Sequence, residues 1–164
     1  TRSLCDWSSD VCSSDLFKTS DSSDHESRDE WKRKATITIE CIIQASDVSH
    51  TMQHWHVYQK WNKCLFNEMY TAYKNGRSDK DPSLGWYNGE LWFFDNYVIP
   101  LATKLQECEV FGVSCDEFLD YANENRKEWS VKGHEIVAQM LRDAEEHYAA
   151  KIGDSSPFDD DEDK

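Results

Sequence analysis

The chain has 164 residues, with 32 Asp and Glu against 18 Lys and Arg, for a formal charge of −14. That length suits one domain or part of a larger one, and the acid excess leaves no basic patch for a binder driven by phosphate contacts. No apolar run approaches the ~20 residues of a membrane span, and there is no signal-peptide h-region.

The acidity sits at the two ends. Residues 1–30 carry a net −5 and residues 154–164 another −5, leaving only −4 for the stretch between. Residues 6–16 read DWSSDVCSSDL, without helical or strand period. This string resembles a translated sequencing adaptor, so residues 1–16 are set aside from fold reasoning like any foreign scar. Residues 17–30 are polar and are expected to be disordered or to lead into a helix.

From 31 to 46 the apolar residues Ile37, Cys41, Ile42 and Ala45 recur at helical spacing. The alternation of Thr36, Ile37, Thr38 and Ile39 also allows a short strand, but the stripe continues past it and favours helix. Trp55, Tyr58, Trp61, Leu65, Met69 and Tyr73 step by three or four, which predicts a second helix with one broad aromatic face and a stop at Gly76. Residues 77–88 form a turn-rich loop. A third helix is expected over about 90–107, kinked at Pro100, which removes one backbone donor.

Ser114 followed by Glu117 predicts a capping-box start for a fourth helix. Phe118, Tyr121, Ala122, Asn125 and Trp129 continue its buried side. Gly133 is expected to break it, with Ile136, Val137, Met140, Leu141 and Tyr148 on a final helix to about 151. Residues 153–164 form an acidic, solvated tail. The expected fold is all-α. Its aromatic faces are large for about 120 helical residues, which implies helices supplied from elsewhere. Six cysteines form no CxxC pair, the pattern of free thiols in an intracellular, cytoplasmic protein.

There is no P-loop, GxGxxG, HExxH or GxSxG motif. The densest polar cluster near an apolar helix end is ASDVSH at 45–50, where the Asp47 carboxylate either caps the next helix or binds a cation. His50 and His54 stand four apart, with His56 nearby. Such a pair can chelate zinc, but no Cys or carboxylate stands at a supporting spacing, and ordinary surface or packing histidines are the favoured reading.

ASDVSH at 45–50, then Trp55, Tyr58 and Trp61, then ELWFFDNYVIPL at 90–101, resembles the C-terminal half of a class I cyclic nucleotide phosphodiesterase catalytic domain. That family carries an A-D-[LIV]-S segment, an aromatic-bearing helix and a Q-x-G-F-I-D…P-L segment in the same order. The resemblance spans about 31–148, making residues 31–152 a partial catalytic domain. It implies a multi-helical hydrolase of cyclic-nucleotide signalling, with a tight zinc and a looser magnesium or manganese flanking a hydroxide. That hydroxide opens the cyclic phosphate to a 5′-monophosphate, because metals lower the pKa of water and neutralise developing phosphoryl charge. By the same resemblance Asp47 is the last ligand of the tight metal. Phe93 stacks on one face of the purine, Leu65 clamps the other, and Tyr58 and Trp61 line the pocket wall.

Two departures shape the expectation. The family's base-reading Gln falls on Glu90, and a carboxylate accepts from adenine's 6-amino group but is repelled by guanine's O6 and N7. The ligand expected is therefore a cyclic nucleotide, cAMP ahead of cGMP. His50 stands where the family often has Asn beside the base. The larger departure is that HN-x-x-H and HD motifs are missing from residues 17–46, which leaves one metal ligand of four and no histidine to protonate the leaving oxygen. The chain alone is expected to be inactive, with the absent N-terminal half as its partner and hydrolysis as the parent function. The competing reading is a non-enzymatic acidic helical interaction module, or a pseudo-enzyme that binds nucleotide without cleaving it.

Overall fold

The computed structural model describes residues 24–109, 111–112 and 114–153, and every element among them is helical. The segments read above as adaptor and acidic tail lie outside these residues, apart from Gly153. Helix α1 spans Asp24–Asp47. It starts earlier than the apolar stripe, because its polar first turns carry charges at helical spacing: Lys32 meets Asp29 at 3.1 Å and Lys34 meets Glu30 at 2.8 Å. The strand alternative at 36–39 is gone, and the Thr36 hydroxyl donates to the Lys32 carbonyl within the helix. Cys41 and Ala45 are buried, with Ile37 and Ile42 packed beside them, as the stripe predicts.

A short 3₁₀ turn, Ser49–Met52, leads to α2, Trp55–Lys74. Gly76 follows at φ +68, a left-handed stop that glycine adopts without strain. The buried face of α2 differs from the predicted one. It comprises Tyr58, Asn62, Phe66 and Tyr70, while Trp61, Leu65 and Met69 are about half exposed. An aromatic stripe about 100° wide contains two adjacent rows, and spacing alone does not say which of them faces the core.

Helix α3, Trp86–Phe93, begins inside the predicted loop, after a 3₁₀ turn at Pro82–Leu84 whose N-cap Asp81 accepts from the Ser83 amide. It runs through one π-helical stretch, Phe94–Val98, into α4, Ile99–Glu107. The π stretch is the accommodation at Pro100. The Ile99 amide bonds the Phe94 carbonyl five residues back, widening the helix just before the residue that has no N–H to offer.

The last helix, α5, spans Ser114–Gly153 unbroken, about 60 Å long. Gly133 does not break it. A Cβ there would sit 2.8 Å from Tyr87 Cδ2 and 3.0 Å from Trp129 Cε2, so Gly133 is a place of close packing. The Tyr87 ring crosses α5 at this point, stacks on His134 at 3.6 Å and donates its hydroxyl to the Ser130 carbonyl. Gly133→Ala is expected to destabilise by about 1 kcal/mol, overpacking outweighing the better helix propensity. Gly89→Ala, in α3 with open space around it, is expected to stabilise by a similar ~1 kcal/mol. Urea midpoints of the two variants check the contrast, and a stabilised Gly133→Ala overturns the packing account.

Helix α5 runs beside α2 in the same direction: His54 meets Tyr121, Lys63 meets Asp143 and Asn75 meets Tyr148. The core between them and α3–α4 holds Tyr58, Phe66, Phe94, Val98, Leu105 and the fully buried Trp129. Asn125, also buried, donates to the Thr51 and Gln53 carbonyls and so pins the α1–α2 connection to α5. No helix among the described residues is long and apolar enough to cross a membrane.

Candidate functional site

The seven residues singled out by sequence fall on α1, α2, α3 and the turn between α1 and α2. Asp47 is the last residue of α1 and is exposed. His50 follows in the 3₁₀ turn, half-buried, its ring 6.3 Å from Trp61 on α2. Burial holds its imidazole below the usual histidine pKa and so favours the neutral ring. His54 turns elsewhere, stacking on His56 at 5.8 Å and sharing a 3.1 Å hydrogen bond with Tyr121. The histidine chelate at 50 and 54 is therefore not formed, because each ring is committed to a different aromatic neighbour.

Tyr58 and Glu90 are brought together. The Tyr58 hydroxyl donates to Glu90 Oε2 at 2.7 Å, joining α2 to α3. Two residues that the periodicity did not single out complete this contact. Trp86 Nε1 donates to Asn62 Oδ1 at 3.1 Å, and Asn62 Nδ2 donates to the Tyr58 hydroxyl oxygen at 3.4 Å. The direction of the chain is fixed at its start. An indole N–H only donates, so Asn62 must turn its oxygen to Trp86 and its amine to Tyr58, and the Tyr58 proton is left pointing at Glu90. Burial pushes the Glu90 carboxyl above its ordinary value, against the lowering effect of Tyr58 and Asn62. Burial and the carboxylate together push the Tyr58 phenol strongly upward, keeping it a proton donor. Asn62 carried one sequence signal: a polar residue four positions from Tyr58 on an otherwise aromatic face.

Phe93 is half-buried and stacks on Tyr97 at 5.3 Å with the rings 11° apart. Leu65 lies one turn beyond Trp61 on the exposed flank of α2. Behind Phe93 the π stretch is fastened by Asp95, which accepts two 2.8 Å bonds from Arg126 on α5. That guanidinium holds the Asp95 carboxyl below its ordinary value. The pair spans two helices, and sequence spacing carries no signal for it. Neither of two shallow cavities, about 260 and 370 Å³, is lined by any of the seven residues.

The donors present do not by themselves fit a metal ion. Among the described residues no three His, Cys, Asp or Glu side chains gather at one point, whereas a tight divalent site needs three or four. Asp47 contributes one carboxylate and belongs to no such group among the described residues.

Compared with known proteins, residues 11–113, more than half of the chain, match a family model described as 3′5′-cyclic nucleotide phosphodiesterase. The matched range begins inside the string read as adaptor and stops just short of α5. No curated protein and no solved structure matches the chain.

Proposed function

Because the chain belongs to the 3′5′-cyclic nucleotide phosphodiesterase family, we propose that it is the base-gripping part of a catalytic domain that opens a 3′,5′-cyclic phosphate to a 5′-monophosphate. The observation that carries this reading is the 2.7 Å contact from Tyr58 to Glu90. It unites two residues that the family resemblance assigns to one purine pocket from segments 32 positions apart. Phe93 and Leu65 supply the two apolar surfaces that a flat base needs, with Trp61 and His50 beside them.

Glu90 sets the preference. Its carboxylate accepts from the 6-amino group of adenine, and meets only acceptors on the corresponding edge of guanine. The ligand is accordingly cAMP ahead of cGMP. Asp47 is assigned to the shell of a divalent metal, zinc in the tight position with magnesium or manganese beside it. The other ligands of that shell come from polypeptide outside the described residues. The exposure of Trp31, Trp61 and Trp92, each more than half open to solvent, supports a further body of protein packing against these helices.

With a single metal-site carboxylate, the chain alone is expected to release no 5′-nucleotide from cAMP or cGMP above the buffer rate, with zinc and manganese supplied. The product of the same gene extended upstream of Phe17 is expected to hydrolyse cAMP. In that product Asp47→Ala should lower the rate by about a hundredfold or more. Turnover by the isolated chain, or an Asp47→Ala variant of undiminished activity, overturns the assignment.

A further inference from the structure

One turn of α5 stands behind three walls of the proposed base pocket, although α5 lies beyond the range of the family match. Asn125 holds the Thr51 and Gln53 carbonyls beside the 3₁₀ turn that carries His50. Trp129 sets its ring edge against Tyr58 at 5.9 Å and 82°. Between them Arg126 reaches the π stretch, its Nε and Nη2 donating to Asp95 Oδ1 and Oδ2, each at 2.8 Å. Asn125 and Trp129 are buried and belong to the core. Arg126 differs from both. It and Asp95 are each more than a third exposed, and an open ion pair contributes little to stability. What its two bonds do fix is direction, since a planar fork meeting both oxygens of a carboxylate has one favoured alignment.

That direction bears on Phe93. Phe94 is fully buried and seats the junction of α3 and the π stretch on the core. Its two neighbours leave it on opposite sides, each turned by roughly 100° about the helix axis. The Asp95 side is tied to α5, and the Phe93 side carries the ring that stacks on Tyr97. A roll of the helix about Phe94 that moves Phe93 therefore strains the bonds between Asp95 and Arg126. The tie falls where the helix is least uniform, because the Ile99 amide bonds five residues back to Phe94 in place of the tighter α-helical ladder. We propose that Arg126 is a positioning residue for the base: acting through Asp95, it holds the Phe93 ring at the angle that stacks on the purine. The proposal rests on the assignment of Phe93 to the base pocket.

In the chain itself, the nuclear Overhauser effect between the Phe93 and Tyr97 rings is expected to fall about twofold in Arg126→Gln, as for a ring sharing its time between two rotamers. Asp95→Asn should give the same fall. Lys132→Gln, which removes another exposed cation of α5, should leave the effect unchanged. An undiminished effect in Arg126→Gln overturns the proposal and leaves the pocket assignment standing. In the upstream-extended gene product, Arg126→Gln should raise KM for cAMP roughly fivefold and leave kcat within about twofold, the mark of binding that is uniform along the reaction. Arg126→Lys should recover only part of this, a point charge replacing a fork. Phe93→Ala should raise KM by roughly tenfold or more, and adding Arg126→Gln to it should change nothing further. A rise that persists in the Phe93→Ala background, or that comes with an equal loss of kcat, makes the pair a general brace of the fold and overturns the proposal. An unmoved KM in Phe93→Ala removes Phe93 from the pocket and the proposal with it, even where the Overhauser effect has fallen.

Discussion

Trp129→Ala is expected to unfold in roughly 2 M less urea than the parent chain, a loss of about 3–5 kcal/mol. The side chain is fully buried and lies where three helices meet. Its ring edge faces Tyr58 on α2 at 5.9 Å and 82°, and it stacks near Tyr87 of α3 at 6.5 Å. Its Nε1 donates to the Tyr87 carbonyl at 3.1 Å. Truncation removes the apolar burial and leaves a cavity that a rigid 40-residue helix cannot collapse to fill, which puts the cost at the upper end for a core aromatic. Trp129→Phe separates the contributions. It keeps most of the ring and loses the indole donor, so a smaller loss of about 1–2 kcal/mol is expected. Equilibrium denaturation monitored by far-ultraviolet circular dichroism reads both variants. An alanine variant within 1 kcal/mol of the parent rules out Trp129 as the junction of α2, α3 and α5.

The path from sequence to this junction shows what periodicity conveys. Helical spacing located α1, α2 and the start of α5, because an apolar stripe repeated over several turns is a strong signal. It also named Ala122, Asn125 and Trp129 as one buried side, and all three are buried. It misjudged Gly133 because the same residue type serves two purposes. Glycine ends a helix when the backbone must turn, and sits mid-helix when another ring, here that of Tyr87, comes too close for a Cβ. Only the position of the neighbouring helix separates the two cases. The choice between the Tyr58–Asn62–Phe66–Tyr70 row and the Trp61–Leu65–Met69 row was hidden for a related reason. The second row is apolar enough to be buried, yet it is left open in this chain. The Tyr58–Glu90 contact was legible only as two residues assigned to one pocket, and the donors behind it, Asn62 and Trp86, depend on how α2 and α3 cross.

Glu90→Gln is expected to change both stability and base preference, in directions set by that hydrogen-bond chain. Burial raises the folded-state pKa of Glu90 above its unfolded value. A carboxyl shifted this way contributes stability that is fully present below the unfolded pKa and is lost as pH rises through the folded one. The parent chain should therefore weaken, relative to Glu90→Gln, as pH climbs from the ordinary carboxylate range toward neutrality. Urea midpoints at pH 4.5 and pH 7.5 read the difference: small in acid, with the variant the more stable of the two at the higher pH. The base preference follows from proton direction. The donation running from Trp86 through Asn62 and Tyr58 arrives at position 90 as an O–H. In Glu90→Gln the amide oxygen takes that proton, which turns the amine toward the base, where it meets the O6 acceptor of guanine rather than the 6-amino group of adenine. In the upstream-extended gene product the cAMP/cGMP ratio of kcat/KM should fall by roughly ten- to a hundredfold, the cost of leaving one buried polar group unmatched. Trp86→Phe combined with Glu90→Gln should recover part of that fall, since without the indole donor Asn62 is free to turn over and release the constraint on Tyr58. A ratio unmoved by Glu90→Gln alone shows that position 90 does not read the base, while leaving the pH-dependent stability difference as an independent measure of its burial.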